Sequence, residues 1–240
     1  MSNMTAGQIS VEGKPVKLRT PLEAREAGIE PAALVALLAR LGTSLPVEPI
    51  AERAKLIDTF DLATFGRAPA RFDEAELARI NHALVHQLPF ADVAGRLPHG
   101  MDERGWLAIR PNLEKVEDAA DWWAIVTGPV DPAPFDAEDR PYLAEATRLL
   151  KWSDDPWHTL TGALRDATGR KGKALFLPLR RALTGKDHGP DMAQLLPLIG
   201  ESEARVRLSR AAAGDRNRPR RRHSSPLFPL ADATLGEIAG

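Results

Sequence analysis

Apolar residues recur along most of this chain at three- and four-residue spacing, the period of an amphipathic helix, and rarely alternate as in a half-buried strand. The segment 29–41 (IEPAALVALLARL) has Pro31 in its first turn and stops at Gly42, both favoured helix punctuation. The segment 73–87 opens with acidic residues that suit a helix N-terminus and carries Leu77, Ile80 and Leu84 along one face. The same periodicity predicts helices at 102–110, 116–126, 141–152, 157–167, 172–183, 192–199 and 201–212. The 20 prolines fall mainly between these segments. The expected class is all-α, two packed helical subdomains, with a Pro-rich linker at 127–135 and a change of composition after Gly214. That change marks 214–240 as an Arg/Pro-rich flexible tail.

Composition alters this picture little. A chain of 240 residues with 43% hydrophobic and 27% charged residues has the make-up of an ordinary globular protein. It has no cysteine, which excludes disulfides and thiolate chemistry. No apolar run approaches membrane-span or signal-peptide length, so a cytoplasmic location and no membrane contact are expected. Charge is more informative. The net charge of −1 conceals 14 Lys/Arg against 5 Asp/Glu between residues 170 and 222, whereas residues 1–169 carry 18 against 26. A basic C-terminal third on an acidic body fits a localised, salt-dependent contact with a polyanion. It fits an Arg-rich solvated surface as well.

The candidate chemistry concentrates in 171–200, KGKALFLPLRRALTGKDHGPDMAQLLPLIG: a basic helix, a polar loop (184–190) and a second apolar helix. Leucines line one side of the first helix, and Lys171, Lys173, Arg180, Arg181 and Lys186 are offered on the other. His82 and His86, four apart on one helix, have a spacing that suits a metal, against the simpler reading of an amphipathic surface. Trp106, Trp122, Trp123, Trp152 and Trp157 suit base stacking or core anchoring, the latter favoured. No Ser-His-Asp set and no paired carboxylates stand out, and no catalytic residue, metal or cofactor is expected.

Four segments in register carry a resemblance: 25–50 (REAGIEPAALVALLARLGTSLPVEPI), 60–90 (FDLATFGRAPARFDEAELARINHALVHQLPF), 106–129 (WLAIRPNLEKVEDAADWWAIVTGP) and 171–200. Together the chain resembles the C-terminal half of an alphaproteobacterial-type glutamyl-tRNA synthetase, its stem-contact and helical anticodon-binding regions. The resemblance implies a stem-contact-like domain at 21–90 and an anticodon-binding-like domain at 91–213. It also implies that Arg180, in the Pro-Leu-Arg motif, reads an anticodon base, that Leu177 and Met192 face one, and that Lys171, Lys173, Arg181 and Lys186 contact phosphates. Arg67, Arg110 and Asn112 fall in matching segments. The alternative reading leaves Arg180 and Arg181 as a solvated helix face, and Leu177 and Met192 as core. Arg216, Arg218, Arg220, Arg221 and Arg222 are outside the family pattern.

In that family a nucleotide-binding domain precedes these regions. This sequence shows no Gly-rich phosphate turn and no HIGH-like tetrapeptide. At the head of the chain, in the segment 1–20, EGKPVKLRT places Val16, Lys17, Leu18 and Arg19 on the family's Leu-Ser-Lys-Arg loop, where leucine replaces the second lysine. Aminoacylation by this chain alone is therefore not expected, because a phosphoryl-transfer transition state needs several fixed cations. The expected function is a tRNA-binding module with a glutamate-type tRNA as partner. The alternative is a repurposed pseudo-synthetase whose surface, exposed by loss of the catalytic domain, binds protein partners or a second copy.

Overall fold

The computed structural model describes residues 9–11, 14–16, 20–67, 69–130 and 135–214, with side chains from residue 20 onward. The helical class is as expected, preceded by one short antiparallel hairpin of β1 (Ile9–Val11) and β2 (Lys14–Val16), with Ile9 opposite Val16. Three-residue strands are too short to show an alternation in sequence. Val16 ends β2, while Lys17, Leu18 and Arg19, like the arginines of the tail, lie outside the described residues.

Helix α1 (Pro21–Glu26) starts at a reciprocal cap. Thr20 Oγ1 accepts from the Glu23 N–H and Glu23 Oε2 accepts from the Thr20 N–H, both at 3.1 Å. Helix α2 (Pro31–Arg40), α3 (Arg53–Asp58) and α4 (Glu74–Val85) follow. Asp73 caps α4 by accepting from the Ala75 N–H at 2.9 Å. α2 packs against α4, and Ala33, Ala36, Leu37, Leu56, Leu77, Ile80 and Leu84 form a first core.

The remaining helices are α5 (Phe90–Val93), α6 (Glu103–Ile109), α7 (Ala119–Thr127), α8 (Asp139–Leu149), α9 (Pro156–Thr168), α10 (Lys173–Thr184), α11 (Met192–Ile199) and α12 (Glu201–Ala213). They surround a second, larger core in which Trp106, Leu143, Leu164, Leu179, Leu195 and Leu208 are fully buried. α8 and α12 pair along their length, and α10 packs on both. The two cores divide within α4, Leu84 belonging to the first and Val85 to the second.

Two polar ties join them. Asn81 accepts from the Glu30 N–H at 2.7 Å and donates to the carbonyls of Gly28 at 2.9 Å and Glu114 at 3.2 Å. Arg96 bridges the carboxylates of Glu30 and Glu117, each at 2.8 Å. Among the described residues no helix is long and apolar enough to cross a membrane.

Candidate nucleic-acid interface

The helix–loop–helix of α10, residues 185–191 and α11 is built from its leucines outward. Leu175, Leu179 and Leu183 are completely buried and fix which face of α10 turns inward. The opposite face then carries Lys173, Phe176, Leu177 and Arg180, spaced as one helical stripe, with the first two exposed and the last two half-buried. Pro178 lacks an N–H, so within the helix it leaves the Ala174 carbonyl without its usual donor. Arg170 Nη1 takes that carbonyl at 3.3 Å while pairing with Asp139 at 2.7 Å.

The loop is clamped at five points. Gly185 ends α10 in the left-handed region at φ +68°, with its N–H on the Arg181 carbonyl at 2.9 Å. Thr184 Oγ1 donates to the Arg180 carbonyl at 2.8 Å and accepts from the Lys186 N–H at 3.2 Å. Arg181 forks onto Asp187, Nε to Oδ1 at 2.6 Å and Nη2 to Oδ2 at 2.8 Å. This fork holds the Asp187 carboxyl below its usual range. Arg180 Nη1 donates to the Pro190 carbonyl at 3.0 Å, tying the helix to the far side of the loop. Finally, Gly189 lies so close to the Trp122 ring of α7 that a Cβ there would sit 2.0 Å from Cη2.

The cations of this region divide sharply. Arg181 is committed to Asp187, Arg170 to Asp139, Arg205 to Glu201 and Arg207 to Glu203. Arg207 is buried and also donates to the carbonyls of Leu183 at 2.7 Å, Gly128 at 2.8 Å and Val126 at 3.2 Å. Arg180 forms no ion pair among the described residues. Burial depresses its proton affinity, and the nearby Asp191 carboxylate partly restores it. Lys171, Lys173 and Lys186 are exposed, and their side chains make no hydrogen bond or ion pair among the described residues. The structure thus brings Arg180, Leu177, Arg181 and Lys186 to one side of the turn. Met192 differs: it is 2% exposed and packed in the second core, as the alternative sequence reading had it, and has no surface to offer a base.

The other candidates are placed elsewhere. Arg67 and Asn112 are exposed, away from the turn in sequence and in contacts. Arg110 Nη1 donates at 2.7 Å to the Leu88 carbonyl, which Trp106 Nε1 also contacts at 2.9 Å. Trp106 and Trp157 are core residues. His82 and His86 stack edge-on at 4.0 Å between centroids, and His86 Nε2 meets the Leu113 carbonyl at 3.0 Å. No group of three or more metal-ligating side chains exists among the described residues. Sequence reading missed Arg170, which reaches back to the Asp139 carboxylate and the Glu138 carbonyl, Arg207, which donates to backbone carbonyls far along the chain, and Phe176, whose exposure on the stripe no pattern announces.

Residues 105–212 match the family described as the anticodon binding domain. Glutamate–tRNA ligase 2 of Erythrobacter litoralis is 66% identical over 188 residues, 78% of this chain and 42% of that one. Glutamate–tRNA ligase 1 of Novosphingobium aromaticivorans is 62% identical over 188 residues, 77% of this chain and 42% of that one. A crystal structure of a glutamate tRNA ligase from Elizabethkingia meningosepticum superposes with a TM-score of 0.65 at 21% identity, covering 79% of this chain and 42% of that one, a likeness of fold. Residues 105–212 thus carry an anticodon binding domain, and over about three quarters of its length the chain is similar to part of the glutamate–tRNA ligases. It spans under half the length of these curated relatives.

Proposed function

We propose that this chain binds a glutamate-type tRNA at its anticodon end, through the rim of the α10–α11 turn, and that the 240-residue chain does so without forming the aminoacyl bond. The observation that carries this is the unpaired, half-buried Arg180 guanidinium. It is anchored by a single hydrogen bond to the Pro190 carbonyl and sits on a loop held in place before any ligand arrives. A planar cation so presented suits a base edge or a phosphate, and a preformed site loses little entropy on binding. Lys171, Lys173 and Lys186 would position the backbone without reading sequence. The relatives are named for acting on glutamate and tRNA, which supports the choice of tRNA.

Filter binding at low salt tests it. The expected result is saturable binding of glutamate-type tRNA that weakens steeply with salt. Arg180→Ala should lose roughly tenfold or more in affinity, in keeping with ~1.5–3 kcal/mol for a hydrogen bond made by a charged group. Absence of binding at low salt sinks the proposal, and glutamate transfer to tRNA by the purified chain would refute its second half.

A second reading rests on a different observation. Seven of the eleven exposed large apolar side chains among the described residues fall between Leu22 and Phe65, among them Ile57 at 65% and Leu62 at 76% exposure. That concentration on the smaller core is unlike singly scattered surface residues and suits a covered protein–protein face. A strictly monomeric sedimentation profile, with no protein co-purifying, would count against it.

A further inference from the structure

On the outward stripe of α10 one residue is accounted for only in part by packing and not at all by charge. Phe176 is 38% exposed, although the helix has three buried leucines and ample room in its pattern for a polar residue at that position. Its ring does not hang free. It leans on the Trp157 indole, centroids 6.0 Å apart and planes 32° from each other, and Trp157 is itself 7% exposed. One ring face is therefore backed by a nearly buried aromatic, which restricts the side chain, while more than a third of the residue stays open to solvent. Lys173 stands one turn before it and Arg180 one turn after it, both on the same stripe and neither in an ion pair among the described residues.

We propose that Phe176 is a stacking platform for an unpaired nucleobase, with Lys173 and Arg180 receiving the phosphates on either side. This rests on the proposal that the turn binds tRNA, and extends it by naming the element that holds a base by its face. An aromatic ring flanked by cations at one-turn spacing is the arrangement that single-stranded RNA requires: a π-face for each splayed base and positive charge along the backbone. Backing by Trp157 reduces the entropy that a lone phenylalanine would lose on stacking. A duplex keeps its bases paired and inside the helix, so the ligand class is a single-stranded loop.

Three purified full-length proteins, wild type, Phe176→Leu and Phe176→Tyr, are titrated with two synthetic RNAs over a range of salt. One RNA is a hairpin carrying the anticodon loop of a glutamate tRNA and the other a blunt duplex of the same stem. Leucine keeps an apolar cover over Trp157 but cannot stack, and tyrosine can. The expected result is roughly tenfold weaker hairpin binding by Phe176→Leu, in the range of one base–aromatic stack. The slope of log affinity against log salt stays unchanged, Phe176→Tyr binds as wild type does, and the duplex discriminates none of the three. Hairpin binding by Phe176→Leu equal to wild type overturns the inference while leaving the tRNA proposal standing. So does a changed salt slope, which would mean that the substitution had displaced the cations. Failure of the wild type itself to bind the hairpin overturns the tRNA proposal and this inference together.

Discussion

At the scale of single residues, the decisive feature is what each arginine touches. Arg207 lies in the interior with its guanidinium on three carbonyls, those of Leu183 near the end of α10, Val126 near the end of α7, and Gly128 just beyond it. Helix ends leave such carbonyls without intrahelical donors, and a cation there also meets the negative pole of each helix. Arg207→Met should cost about 2–4 kcal/mol in urea unfolding, because two buried acceptors and a partly buried one lose their donor at once. A change under about 0.5 kcal/mol, the scale of an ordinary surface substitution, would show that water replaces the guanidinium freely. His86 gives a pH-linked expectation. Burial first, then the neighbouring charges of His82 and Arg110, lower its proton affinity, against the opposing hydrogen bond to Leu113. The unfolded chain takes up a proton near the ordinary histidine value of about 6.5, and the folded chain does so only at lower pH. Stability from this site is therefore complete above that value and is lost as the pH falls below it, through the lowered value of the folded state. His86→Gln keeps a side-chain N–H for the Leu113 carbonyl and should flatten this part of the profile. Identical urea midpoints against pH for the two proteins would contradict the assignment. Neither role can be seen in the chain itself: Arg207 reads there as one more exposed cation of a basic third, because its carbonyl partners lie 24 to 81 residues away.

At the scale of elements, long amphipathic segments read correctly and short or tertiary-capped ones did not. α11 falls at the residues its pattern predicts, and α9, α10 and α12 shift by one residue at most at either end. α1, α3 and α5 are six, six and four residues long, too short for any period to declare itself. α8 begins at Asp139 rather than Pro141, because proline fits anywhere in a first turn, and stops at Leu149 rather than Trp152. The early stop has a tertiary cause: Arg205 takes the Thr147 and Leu150 carbonyls at 3.4 and 2.7 Å. The segment expected to be one helix from residue 116 begins instead as a 3-10 turn, Val116–Asp118, with Asp118 Oδ2 accepting from the Lys115 N–H at 3.1 Å. Of the candidate site, the helix–loop–helix and its exposed lysines were legible, while the burial of Met192 and the partnership of Arg181 with Asp187 depend on how the loop closes. Two glycines test that closure. Gly189→Ala drives a methyl into Trp122 at a φ of +145° and should cost about 2 kcal/mol or more in thermal unfolding. Gly162, inside α9 with open space around it, should stabilise by about 0.5–1 kcal/mol when changed to alanine. Equal melting shifts for the two variants would mean that Trp122 does not hold the loop.

At the scale of the whole molecule, two cores of unequal size share one helix and are fastened by few polar contacts. Asn81 is the central tie, since its side chain serves Glu30 and Gly28 on one side and Glu114 on the other. Asn81→Ala should lower stability by about 2–3 kcal/mol, the cost of orphaning buried backbone groups. It should also split a single calorimetric transition into two, with the smaller core melting first. A single transition of unchanged width would show that the apolar continuity through Leu84 and Val85 is enough to couple them. The division bears on binding as well. The basic third of the sequence fits a localised polyanion contact or an Arg-rich solvated surface, and within it Arg170, Arg181, Arg205 and Arg207 are tied up internally. Among the described residues of that third, counterion release should accordingly reflect Lys171, Lys173, Lys186, Arg180 and Arg210, not the four paired arginines.

The approach of Gly189 to Trp122 gives the molecule an optical reporter of its own. The indole lies against the turn proposed to meet RNA, whereas Trp106 and Trp157 are enclosed in the core. Any ligand that lifts or tightens the loop must alter the solvent around this indole, and the part of the signal that Trp122→Phe removes belongs to it. Occupancy of this turn can therefore be followed in the unlabelled protein by its emission, with Trp122→Phe as the silent control.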